Sequence, residues 1–340
     1  MKGRTVILDH WKDRETAALV VDGVLEDLLI ESDQPRPGTI YRATADRPVK
    51  GQGGMFLKTP DGSAFLRQVR GLAPGQSVVV QVTGFAEPGK ALPVTQKILF
   101  KSRYAIVTPG APGYNISRAI RDDDERDRLL GIAHDVMDES GDGLILRSSC
   151  SGASEDDIAQ DIEAMAALAQ RIRTDDSDGM ETLLEGDGPH VQAWREWTGP
   201  ADISTVDGGL ADHGVLETID ALRTPRVALE AGAFMFVEAT RALVAVDVNT
   251  GKDISLAAGL KANLACARDL PRALRLRGLG GQIVLDLAPM PKKDRRTFET
   301  ALRQAFRRDD TETALAGWTP LGNYELQRKR ARLPLVEVLG

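Results

Sequence analysis

Two short apolar runs, each with a single carboxylate near its C-terminal end, constrain this 340-residue chain more than any other feature. The first is Leu243-Val244-Ala245-Val246-Asp247-Val248-Asn249; the second is Gln282-Ile283-Val284-Leu285-Asp286-Leu287, and a helical run lies between them. Apolar, β-branched runs of this length, bounded by turn-forming residues, read as buried strands. A carboxylate at the end of such a strand reaches water, whereas one in its middle would lose its solvation. Two carboxylates and the amide of Asn249 brought together suit one hard divalent cation, because Mg²⁺ takes oxygen ligands and needs only one or two protein carboxylates. The same residue types also cap and turn chains at strand ends, so spacing alone leaves both roles open.

Composition narrows the class. Hydrophobic residues at 42% and charged residues at 27% describe an ordinary globular protein with room for several domains. No stretch approaches the ~18 uninterrupted apolar residues of a membrane span, and the N-terminus runs straight into a short β-like segment without the features of a secretory signal. A cytoplasmic protein without membrane association is expected. The only cysteines, Cys150 and Cys266, lack Cys-x-x-Cys spacing, so no disulfide framework and no structural zinc are expected. The four histidines, His10, His134, His190 and His213, show no ligand spacing.

A net charge of −7 opposes non-specific adhesion to nucleic acid, but the charge is unevenly spread. Residues 154 to 190 hold 11 Asp/Glu against 2 Arg, and residues 261 to 308 hold 12 Lys/Arg against 4 Asp/Glu. A basic region beside the two carboxylates would attract a phosphate backbone. A solvated helix surface accounts for the same residues.

In chain order, residues 4 to 31 read as a strand meander with Asp22-Gly23 as a tight turn. After Gln34-Pro35-Arg36-Pro37-Gly38 come five short strands, near Thr39–Ala43, Gly54–Leu57, Ala64–Leu66, Ser77–Val82 and Ala91–Thr95. Five such strands suggest a small Greek-key barrel of the OB type, which offers aromatic faces to bases and cations to phosphates. Phe56 and Phe65 lie on two of these strands; barrel core and RNA contact both fit them. Ser154 followed by Glu155-Asp156-Asp157 reads as a helix start. Residues 174 to 215 are polar and Gly-rich, and carry little signal beyond loop. After Asn249, Leu256, Leu260, Leu264 and Ala267 mark the core face of a helix, which Pro271 should bend or end.

The run Asp247-Val248-Asn249-Thr250-Gly251-Lys252, then Asn263-Leu264, then Leu274 through Gly280-Gly281 to Asp286, resembles the catalytic core of the RNase E/RNase G endoribonucleases. The resemblance implies an α/β (α+β multidomain) fold. Its parts would be RNase H-like scaffold at 1–35 and 174–222, an OB-type RNA-binding barrel at 36–102, a 5′-sensor-like subdomain at 103–173 and a DNase I-like catalytic subdomain at 223–340. It implies that Asp247 and Asp286 hold Mg²⁺ or Mn²⁺, that Asn249 helps place the attacking water, and that Phe56, Phe65 and Lys252 contact RNA. Arg147 and Ser148 resemble the pair that holds an RNA 5′-monophosphate, a role suited to a guanidinium fork beside a hydroxyl.

The implied activity is metal-dependent hydrolysis of single-stranded RNA, leaving 5′-phosphate and 3′-hydroxyl ends. Two departures accompany the match. The segment Lys252-Asp253-Ile254-Ser255-Leu256-Ala257 is shorter and more neutral than in the family, which favours the alternative of a weakly active or inactive RNA-binding protein. The chain also stops before the family's zinc link and small domain, so a monomer, or a dimer built differently, is expected.

Overall fold

The computed structural model describes residues 3–49, 53–69, 71–87, 89–137, 141–255 and 257–340. Contacts divide the chain into two compact units, Met1–Ser32 with Ala201–Gly340, and Asp33–Pro200. The fold is mixed α/β, and the second unit contains a closed five-stranded barrel of the OB type.

The first unit begins with the antiparallel meander Arg4–Trp11, Arg14–Val21 and Val24–Ile30, to which Asp202–Ser204 adds parallel to the first strand. Asp22 and Gly23 both have positive φ, 51° and 81°, as a tight hairpin turn requires. Lys12 and Asp13 turn the other hairpin with φ of 52° and 61°, although no glycine marks the place. Ile7, Ala18, Val20 and Leu28 pack with Leu210 and Ile219 beneath this sheet.

The rest of the unit is a six-stranded sheet in the order Arg226–Ala228, Phe234–Ala239, Val244–Asn249, Gly281–Asp286, Tyr324–Arg328 and Thr313–Trp318. The two carboxylate strands are parallel neighbours, connected through the helix Ala258–Leu276. Met235, Val237, Val246, Val248, Ile283 and Leu285 face one core with Leu270, Leu274, Phe298 and Leu302. Alternate residues point the other way and stay wetter, so these strands are covered by helices on one face, not buried on both as their apolar content suggests.

The helix also departs from its sequence pattern. Leu256 lies outside the described residues, and Leu260 and Leu264 are half-buried. The deeply buried positions are Ala262, Asn263, Cys266, Ala267, Leu270, Ala273 and Leu274, small enough for close approach to the sheet. Pro271 neither ends nor interrupts the helix, which continues to Leu276. An internal proline costs about 3 kcal/mol, and burial of Leu270, Ala273, Leu274 and Leu276 around it offsets a loss of that size.

In the second unit the barrel runs Ile40–Val49, Gly54–Thr59, Gly62–Leu66, Leu92–Thr95, Ser77–Val82 and closes back onto Ile40–Val49. Tyr41, Ala43, Met55, Leu57, Ala64, Leu66, Val80 and Val94 fill it. Glu181–Leu184, within the stretch that reads as loop, pairs antiparallel with Ile40–Val49. A four-stranded sheet, Gly113–Ile116, Gly143–Leu146, Ala105–Thr108 and Phe100–Lys101, shares a core with the helices Asp123–Val136 and Glu155–Arg173. Ser154 caps the second helix by accepting from the Asp157 N–H at 3.1 Å. Among the described residues no helix is long and apolar enough to cross a membrane.

Candidate active site

Parallel pairing sets Asp247 directly opposite Asp286. Register partners on adjacent strands lie about 4.8 Å apart at Cα and point to the same side, so both carboxyl groups project from the open face. Both side chains are exposed. Asn249, two residues on, shares that face, and its Nδ2 donates to Asp247 Oδ2 at 2.8 Å. Two carboxylates and an amide thus converge from two strand ends.

Two features hold this geometry. Gly251, with φ of 67°, closes the turn after Asn249 so tightly that a Cβ there would lie 2.3 Å from the Gly232 carbonyl oxygen. Asn263 is fully buried in the crossover helix and makes two bonds to one backbone residue: Nδ2 donates to the Ala288 carbonyl at 2.8 Å, and Oδ1 accepts from the Ala288 N–H at 3.0 Å. That clamp fixes the chain two residues past Asp286. The sequence signal for it was the Asn263-Leu264 pair in the resemblance; a polar side chain on an otherwise apolar helix face assigns no role by itself.

The donor set suits a hard cation: oxygen-rich, exposed, with room for water ligands. Among the described residues no group of three or more His, Cys, Asp or Glu is placed to hold a metal ion, so any ion here relies on the two carboxylates, the amide and water. Lys252 is exposed on the turn after Asn249. Asp253 accepts from the Ser255 N–H at 2.8 Å, and that bond lowers its pKa.

On the barrel, Phe56 and Phe65 are cross-strand partners on the outside, with ring centroids 5.3 Å apart. Both are half-buried, while their neighbours Met55, Leu57, Ala64 and Leu66 fill the interior. The Arg47 guanidinium lies 5.0 Å from the Phe56 ring, and a methyl at Gly54 would meet the Phe65 ring at 2.4 Å. The pair is therefore a surface aromatic patch and not barrel core.

Arg147 stands differently. Its Nη1 donates to the carbonyls of Ser102 at 2.6 Å, Arg195 at 3.1 Å and Arg103 at 3.2 Å, and its Nη2 pairs with Glu196 at 2.6 Å. Lys101 and Arg195 also contact Glu196, at 2.6 and 2.7 Å. Burial alone would raise the Glu196 pKa, but Lys101, then Arg147 and Arg195, outweigh it and bring the carboxyl to about 2. Ser148 is exposed in the short turn beyond the strand. The guanidinium predicted to meet a terminal phosphate is thus held by a carboxylate of its own chain.

Arginines near the C-terminus are likewise committed. Arg328 is buried against Asp309, and Arg275 and Arg332 pair with Asp309 and Asp27. Burial would raise the Asp27 carboxyl, but Arg332 and then Arg275 hold it below the usual range. The shallow cleft among Arg275, Arg328, Lys329 and Arg332 is therefore lined largely by side chains already in ion pairs. Arg328 and Arg332 are thus cations committed to carboxylates of their own chain. Cys150 and Cys266 are buried, and burial pushes each thiol up to about 12, well away from reactive thiolate.

These features define a two-unit α/β protein with an OB-type barrel in one unit and a sheet bearing paired carboxylates on its open face in the other. The sequence profile described as Ribonuclease E/G family matches residues 100–206 and 201–331, and the chain belongs to that family. Ribonuclease G of Salmonella typhimurium is 28% identical over 96% of this chain and 80% of its own length. Ribonuclease G of Escherichia coli is 27% identical over the same shares. Ribonuclease E of a Nostoc species is 27% identical over 97% of this chain and 56% of its own length.

Proposed function

We propose that this protein is a metal-dependent endoribonuclease acting on single-stranded RNA, with Asp247, Asp286 and Asn249 at its centre. The observation that carries the reading is the register of Asp247 against Asp286 on an exposed sheet face, with Asn249 bonded to the first. Asp247 and Asp286 would hold Mg²⁺ or Mn²⁺, and Asn249 keeps the Asp247 carboxylate in one orientation while offering its amide to the attacking water. A divalent cation bound there supplies charge neutralisation at the attacked phosphate and an acidified water. Water adds to phosphorus, the bond to the 3′ oxygen breaks, and that oxygen takes a proton, leaving a 3′-hydroxyl and a 5′-phosphate.

Membership of the family and the names of its relatives, ribonucleases E and G, support the substrate class. Phe56, Phe65 and Arg47 form a patch of the kind that stacks unpaired bases and meets the backbone with a cation. Lys252 stands close enough in sequence to Asn249 to meet a phosphate near the cut. For Arg147 and Ser148, phosphate sensing requires the Glu196 pair to open first. Cleavage of an unstructured RNA oligonucleotide in Mg²⁺, with and without EDTA, tests the reading. Products that vanish with EDTA and in Asp247→Asn support it; binding without cleavage would favour an RNA-binding protein that retains the scaffold.

A further inference from the structure

Phe234, Phe236 and Arg226 share the sheet face of the carboxylates and take no part in the reaction above. Antiparallel pairing sets Phe236 opposite Asp247 and Phe234 opposite Asn249, and Arg226 opposite Phe236. Together with the Asp247–Asp286 pair this makes one transverse row across four strands: Arg226, Phe236, Asp247, Asp286. The two rings meet edge to face, with centroids 5.6 Å apart and planes at 84°. The Arg226 guanidinium lies 4.4 Å from the Phe234 ring, so the ring left to a ligand is that of Phe236. Both rings are half-buried on the side away from the core that holds Met235 and Val237.

We propose that Phe236, braced by Phe234, is a stacking platform for the base of a nucleotide adjoining the scissile phosphate, and that Arg226 meets the neighbouring phosphate. The proposal rests on reading Asp247 and Asp286 as the cleavage centre. Cross-strand partners in an antiparallel pair lie about 4.5–5.5 Å apart at Cα, so the ring starts one strand from the phosphate position, on the side opposite Asp286. Two exposed carboxylates repel a polyanion, and Arg226 supplies a cation at the far end of the row. Every base has a π-face, so such a platform positions the strand without reading its sequence. The barrel repeats the combination independently: Phe56 and Phe65 in cross-strand contact, with Arg47 over one ring.

The test is a cycle between protein and substrate. RNA oligonucleotides with one cleavage site carry an abasic residue at each position flanking the cut in turn, and wild type is compared with Phe236→Leu and Phe236→Tyr. One abasic position should lower kcat/KM for wild type by about tenfold, the scale of one lost base–aromatic stack. Phe236→Leu should lose about as much on intact RNA and nothing further on that abasic substrate, while Phe236→Tyr stays near wild type. An abasic penalty of the same size in wild type and Phe236→Leu, with matching unfolding midpoints, overturns the platform. Affinity for the same oligonucleotides is read in EDTA by fluorescence anisotropy. If wild type cleaves none of them in any divalent metal, the nuclease reading fails, and the same cycle on affinity decides the platform.

Discussion

The strand end at Asp247 and the strand end at Arg147 carry the same kind of sequence signal, a polar residue closing an apolar run, yet they differ in what they leave for a ligand. Asp247 and Asp286 are exposed, and among the described residues the Asp247 carboxylate is bonded by the Asn249 amide, which orients it. The Arg147 guanidinium makes four internal bonds, one to a carboxylate that is shared with Lys101 and Arg195. The first arrangement sets charges beside solvent where an ion and a phosphate can join them. The second satisfies its charges within the chain, which stabilises the unit and leaves less for a substrate.

Removing the exposed carboxylate is the sharpest probe of that contrast. Asp247→Asn should reduce cleavage roughly a hundredfold or more by weakening cation binding, with thermal stability changed by no more than about 0.5 kcal/mol. A large stability loss with modest loss of cleavage would invert the comparison. Arg147→Ala should behave in the opposite way, costing about 2–3 kcal/mol in denaturant unfolding because the carbonyls of Ser102, Arg103 and Arg195 lose a charged donor and Glu196 loses one of its three cations. Its cleavage of 5′-monophosphorylated and 5′-hydroxyl RNA should fall equally if the residue is structural. A selective loss on the monophosphate would show that Glu196 yields to substrate.

Asn263→Ala is expected to cost about 1–3 kcal/mol, since the N–H and carbonyl of Ala288 would be left buried without their partners. It should lower kcat more than it raises KM, because the chain after Asp286 is loosened while the RNA contacts remain; an unchanged kcat would show that this clamp serves stability alone. The smallest effect concerns acid. The folded Glu196 carboxyl, at about 2, lies below its unfolded value, so its contribution is fully present above pH ~4.5 and is lost as pH falls toward 2. Glu196→Gln should flatten that limb of the stability–pH curve by on the order of 1–2 kcal/mol after solvent screening. An unaltered limb would mean that the pair is not formed in solution.

Much of the local structure was legible. Asp22-Gly23 announced its hairpin, Ser154 its helix cap, and five Gly- and Pro-bounded runs their barrel, since each depends on backbone preferences within a few residues. Lys12-Asp13 carried no such mark, because two non-glycine residues adopt the turn under the pull of the flanking strands. The Glu181–Leu184 strand was silent for a similar reason: it is a strand only through Ile40–Val49. Phe56 and Phe65 fit inside or outside equally well as sequence, and only closure of the barrel chose the outer face.

What the sequence determined alone is which residues can share a side. A period of two sets Phe234 with Phe236, Asp247 with Asn249, and Gln282 with Asp286, whatever the strands pair with. It could not determine that Asp247 lies opposite Asp286, that Phe236 flanks it, or that Glu196 reaches Arg147. Those are distances between segments far apart along the chain, and they exist only once burial of the core side chains has selected one strand register and one packing of helix on sheet.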